Sequence, residues 1–124
     1  MVGFKVLIID DDYINRKLLI EILKKNLYQV QAIESVDGED ALQKIYKNPD
    51  IQLILLDIEM PKINGIDFLD YHIKYNNNHN DIPIIAISSN DTRKRESLQK
   101  GASAFLTKPI TENQLMEAIV NSSI

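Results

Sequence analysis

Short apolar runs, each bounded by acidic or turn residues, alternate along this chain with segments of helical period. The runs at 6–9 (Val-Leu-Ile-Ile), 53–56 (Leu-Ile-Leu-Leu) and 84–87 (Ile-Ile-Ala-Ile) contain no polar position. A strand with one wet face alternates polar and apolar residues. A run that is apolar throughout is covered on both faces, as in a parallel sheet between two helix layers. Between the runs, Ile14, Leu18, Leu19, Ile22 and Leu23 recur at helical spacing. Asp37 is placed to cap a helix bearing Ala41, Leu42 and Ile45, and Asn64 one bearing Ile66, Leu69 and Ile73. Tyr28, Val30 and Ala32 alternate with Gln29 and Gln31, which predicts a half-exposed edge strand. A weak, charged helix is expected over 92–100, closed by Gly101. A short strand follows at 104–106. Thr111 and Gln114 then stand at capping-box spacing before a helix that buries Leu115 and Ile119.

Strand and helix thus alternate about five times, which predicts an α/β domain with a parallel sheet and helices on both faces. The 124 residues suit one domain, 1–124, large enough to bury a core without disulfides. The absence of cysteine excludes thiolate metal sites and a cysteine nucleophile. A net charge of -4 makes nucleic acid a poor partner for this domain. No apolar run is long enough for a bilayer, and the start of the chain lacks the pattern of a signal peptide. The expectation is a cytoplasmic domain with no membrane partner. The Asn-rich stretch 76–81 reads as a solvated loop, and His72 and His79 as ordinary surface histidines.

The unusual polar residues fall at the ends of the expected strands, where open α/β sheets bind their ligands. Asp10, Asp11 and Asp12 end the first strand and Asp57 ends the third. One of the triplet can serve simply as a helix cap. In a doubly wound sheet, however, the first and third strands are neighbours, so several carboxylates converge. Such groups raise one another's pKa unless a cation intervenes, and magnesium suits a small all-oxygen site. Ser88 ends the fourth strand with a hydroxyl, and Lys108 follows the fifth with an ammonium. A lysine there is by itself most often a solvated surface residue. Together these are the parts of a phosphoryl-transfer site, in which a carboxylate can be the nucleophile.

Four stretches carry a resemblance. They are Val6-Leu7-Ile8-Ile9-Asp10-Asp11-Asp12, Leu56-Asp57-Ile58-Glu59-Met60-Pro61-Lys62-Ile63-Asn64-Gly65, residues 83–88, and Phe105-Leu106-Thr107-Lys108-Pro109. In this order the chain resembles a response-regulator receiver domain of two-component signalling. The resemblance implies a flavodoxin-like (βα)5 fold with strand order 2-1-3-4-5. It implies Asp57 as phosphoacceptor, Asp11 as a direct magnesium ligand, Asp10 as a ligand mainly through water, and the main-chain carbonyl of Glu59 as another. Ser88 and Lys108 would hold phosphoryl oxygens, Phe105 would be the switch aromatic, and Lys108-Pro109 would be cis. Gly65 would relieve crowding after Asp57. The implied donor is a histidine kinase or histidine phosphotransfer protein. The implied output face combines the fourth helix, fifth strand and fifth helix. Arg93, Lys94, Arg95 and Lys100 on that helix suit an acidic partner.

Two other readings compete. Asp10-Asp11-Asp12 partly resembles the Asp-x-Asp motif of haloacid-dehalogenase-type phosphatases, with Asp10 as nucleophile. Ile14 departs from that pattern, and Asp57 is left unexplained. A binding module that no longer takes phosphate is the other, although every site position of the receiver pattern is filled. A free-standing regulator and one domain of a larger protein read alike at this level.

Overall fold

The computed structural model describes residues 3–60, 64–75 and 82–122, with the side chains of 71–75 excepted. The Asn-rich stretch, His79 and the side chain of His72 therefore lie outside the described part, as do residues 61–63. The strands are β1 (Lys5–Ile9), β2 (Gln31–Ser35), β3 (Leu53–Asp57), β4 (Ile84–Ser88) and β5 (Ala104–Thr107). The helices are α1 (Tyr13–Asn26), α2 (Gly38–Lys47), α3 (Gly65–Tyr75), α4 (Lys94–Gln99) and α5 (Glu112–Ser122), with a 3-10 turn at Asp91–Arg93 before α4. All strand pairs are parallel, in the order β2-β1-β3-β4-β5. The fold class is the one the sequence pattern predicts, and the strand order is the one the resemblance implies.

The apolar runs supply two cores because successive side chains point to opposite faces of a strand. Leu7, Ile9, Ile54, Leu56, Ile84 and Ala86 face α2 and α3 through Ala41, Ile66, Phe68 and Leu69. Val6, Ile8, Leu53, Leu55, Ile85 and Ile87 face α1 and α5 through Leu19, Ile20, Leu23, Leu115 and Ile119. The helix starts follow their caps. Asp12 accepts from the Ile14 N–H at 2.9 Å, Asp37 from Asp40 at 2.8 Å, and Asn64 from Asp67 at 3.0 Å. Thr111 and Gln114 cap each other reciprocally.

Two expectations need correction. Tyr28 is not in the edge strand. It is 76% exposed, Gln29 has a φ of 50°, and β2 begins only at Gln31. The turn between α1 and β2 uses that left-handed residue, so the polar-apolar alternation starts before the sheet does. On α1, Ile14 and Leu18 face outward, at 61% and 54% exposed, while Arg16 takes a buried position. The inward stripe is Leu19, Ile20 and Leu23.

Candidate functional site

The parallel register decides which residues meet at the carboxyl ends of the strands. Ile9 pairs with Leu56, so Asp10 comes level with Asp57. Asp57 pairs with Ile87, so Ser88 lies one step further along β4. Ser88 pairs with Thr107, so Lys108 is next beyond β5. A crossover of strand order at β1 and β3 thus brings distant parts of the chain to one rim.

Asp10 and Asp57 are buried, at 2% and 4% exposed, whereas Asp11 is exposed. One carboxylate oxygen from each of the three lies within 4.8 Å of the others. Burial pushes the Asp57 carboxyl up to about 7, and the neighbouring Asp10 charge adds to the rise. The Lys108 ammonium, 3.7 Å from Asp57 Oδ2, and a hydrogen bond from the Glu59 N–H oppose it. Asp10 is also raised, chiefly by burial. The pair is therefore under-neutralised by protein groups alone. Two buried carboxyls driven toward their neutral forms, with a third beside them, fit a hard divalent cation with oxygen ligands.

Local bonds hold this arrangement. The Asp12 N–H donates to Asp10 Oδ1 at 2.8 Å, and the Glu59 N–H to Asp57 Oδ1 at 3.1 Å. Arg16 donates through one terminal nitrogen to the Asp10 carbonyl, at 2.8 Å, and through Nε to Glu34 at 2.9 Å. It ties the β1–α1 turn to the edge strand. A side chain on Gly65 would place its Cβ 2.5 Å from Ile58 Cα and 2.7 Å from the Asp57 carbonyl oxygen. Only a glycine lets α3 start that close to the end of β3. The Lys108-Pro109 bond is cis. Asp12, the second aspartate of the Asp-x-Asp pattern, caps α1 with its carboxylate.

Ser88 is fully buried, and its hydroxyl is already engaged. It donates to Glu59 at 2.6 Å from one carboxylate oxygen and 2.8 Å from the other. Phe105 is half-buried against the α2–α3 core. Sequence reasoning missed the Glu59 carboxylate, Arg16 and the outward facing, at Ile14 and Leu18, of the ridge that these two form with Ile22 on α1. Leu18 and Ile22 of that ridge line a groove together with Pro109 and Ile110, and the groove reaches Asp10 and Lys108. The i, i+4 spacing of Ile14, Leu18 and Ile22 announced a ridge, but not which way it faced.

The family model for the response regulator receiver domain matches residues 6–120. The two-component response regulator ORR7 of Oryza sativa subsp. japonica is 33% identical over 107 residues, 85% of this chain and 50% of that protein. The chemotaxis protein CheY of Treponema pallidum (strain Nichols) is 32% identical over 120 residues, 95% of this chain and 81% of that one. The chain thus spans about half of the first relative and about four-fifths of the second. Among solved structures, the CheX-CheY-BeF3-Mg+2 complex from Borrelia burgdorferi superimposes with a TM-score of 0.88 at 28% identity, over 99% of this chain and 91% of that chain.

Proposed function

The chain belongs to the response regulator receiver domain family, and from that premise we propose that residues 1–124 form a phosphorylation switch whose phosphoacceptor is Asp57. The observation that carries the reading is the setting of Asp57. It ends a buried strand, shares its rim with Asp10 and Asp11, and has the Lys108 ammonium 3.7 Å away. In the transfer an Asp57 carboxylate oxygen attacks phosphorus. A new O–P bond forms as the bond from phosphorus to the donor breaks, and the donor keeps that electron pair. Lys108 offsets charge on the phosphoryl oxygens, and Ser88 becomes a hydrogen-bond donor to them.

Asp10, Asp11 and Asp57, with the main-chain carbonyl of Glu59, would hold magnesium, which would neutralise charge on the carboxylates and the phosphoryl group. The neighbouring CheY structure contains BeF3 and Mg+2, which supports both assignments. The donor is a histidine kinase or histidine phosphotransfer protein, and the setting is the cytoplasm. No described helix is long and apolar enough to cross a membrane. The domain takes one phosphoryl group and passes a conformational signal, which sets it apart from an enzyme turning over a substrate.

The test is labelling by acetyl phosphate followed by mass spectrometry. Wild type gains one phosphoryl group in magnesium and none in chelator. Asp57→Asn gains none in either. Equal labelling of the variant, or steady hydrolysis of a phosphate ester that depends on Asp10 alone, would falsify the assignment.

A further inference from the structure

The side chain of Glu59 has no role in the site as described so far, yet it makes the shortest contact there. Ile58 turns fully into the core, so Glu59 is turned out over the rim, toward β4. Its carboxylate accepts from the Ser88 hydroxyl at 2.6 Å and 2.8 Å, from the Ser89 N–H at 3.2 Å and from the Ser89 hydroxyl at 3.5 Å. An O–H bond to a carboxylate at such a length is charge-assisted, and stronger than one between neutral groups. Ser88 has one hydroxyl proton. Its oxygen meanwhile accepts from the Asn90 N–H at 2.9 Å, and Asn90 caps the turn that leads into α4.

We propose that the Glu59 carboxylate is the resting-state anion of the Ser88–Ser89 donors, a latch that an arriving phosphoryl group must displace before Ser88 can turn to it. The inference rests on Asp57 as phosphoacceptor and adds a residue that sets how readily the site is filled. A single proton cannot serve two anions, so Glu59 and the phosphoryl group compete. While Glu59 wins, it tethers the 88–90 segment from which α4 departs. Once it loses, that segment is released in the same step that fills the site. Glu59 therefore acts as a positioning residue on Ser88 and does not touch the reacting atoms.

The competition is measurable by titrating the magnesium-loaded protein with beryllofluoride and following amide NMR signals. Glu59→Ala should bind beryllofluoride about tenfold more tightly than wild type, the size expected for losing a competing hydrogen bond to a charged group. Glu59→Gln keeps the shape and loses the charge, and should fall between. Removing a nearby negative charge would favour an anion even without a latch, so the same change is made in a Ser88→Ala background. If the latch acts through the hydroxyl, the gain shrinks there to the part that the charge alone supplies. A gain of equal size in both backgrounds, or none in either, overturns the latch while wild type still labels on Asp57. Failure of wild type to bind beryllofluoride or to label on Asp57 overturns the phosphoacceptor reading, and the latch with it.

Discussion

Asp57 shows how burial and a neighbouring charge push a carboxyl toward its neutral form. Its carboxyl is raised from 3.8 to about 7 by burial and by Asp10. A raised folded-state pKa means that the folded protein holds the proton more tightly than the unfolded chain. Stability from this group is therefore full below about pH 4 and lost as pH rises toward 7. In chelator, the melting temperature of wild type should fall across that range, and Asp57→Asn should show a smaller fall, left by Asp10. At pH 8 the variant should melt higher by at least about 4 °C, the shift that ~1 kcal/mol gives in a domain of this size. Equal melting points at pH 8 would mean that the carboxylate is not strained. Gly65 is a second residue-scale case, because its missing side chain is what brings α3 against β3. Gly65→Ala should cost about 2 kcal/mol, the usual range for forcing an extra methyl into packed backbone. A lowered urea midpoint with an unchanged slope would report it.

The elements differ sharply in how firmly they are held. α3 places Ile66, Phe68 and Leu69 in the core, whereas α4 has six residues, buries only Ser97 and leaves Leu98 39% exposed. Lys100 adds an exposed ion pair to Asp70 at 2.9 Å, a contact of small net worth in water. A helix attached this weakly moves at little energetic expense, which suits the proposed switch. Leu98→Ala should therefore change stability by less than about 1 kcal/mol. Leu69→Ala should cost about 2–5 kcal/mol. Comparable losses in chemical denaturation would show that α4 is a core element after all.

Across the whole molecule, the site and the proposed output face are joined by two adjacent strands. β4 ends at Ser88 and β5 carries Phe105, and the two are paired through Ala86 with Phe105 and Ser88 with Thr107. On the proposed reading, a dianionic phosphoryl group would add acceptors at Asp57, draw Ser88 inward and open space for Phe105 to enter. Amide NMR with beryllofluoride and magnesium should show large shifts running from Asp57 through Ser88 to Phe105 and residues 91–101. Shifts limited to the neighbours of Asp57 would leave the α4, β5 and α5 face without a switch.

Much of this was determined by local pattern. Runs apolar throughout can persist only as doubly covered strands, so they fixed both the class and the strand ends on which Asp10, Asp57, Ser88 and Lys108 stand. Caps are local as well, which is why Asp37, Asn64 and Thr111 marked their helices correctly. Tertiary structure decided what depends on neighbours. Tyr28 fits a strand pattern but lies beyond the reach of β1, and Ile14 and Leu18 fit a core pattern but fall outside the face that the sheet covers. Glu59 and Ser88 are 29 residues apart, and only the parallel pairing of β3 with β4 sets one carboxylate upon one hydroxyl. Periodicity states how a segment alternates. Which of its faces meets another segment is settled only when the chain closes on itself.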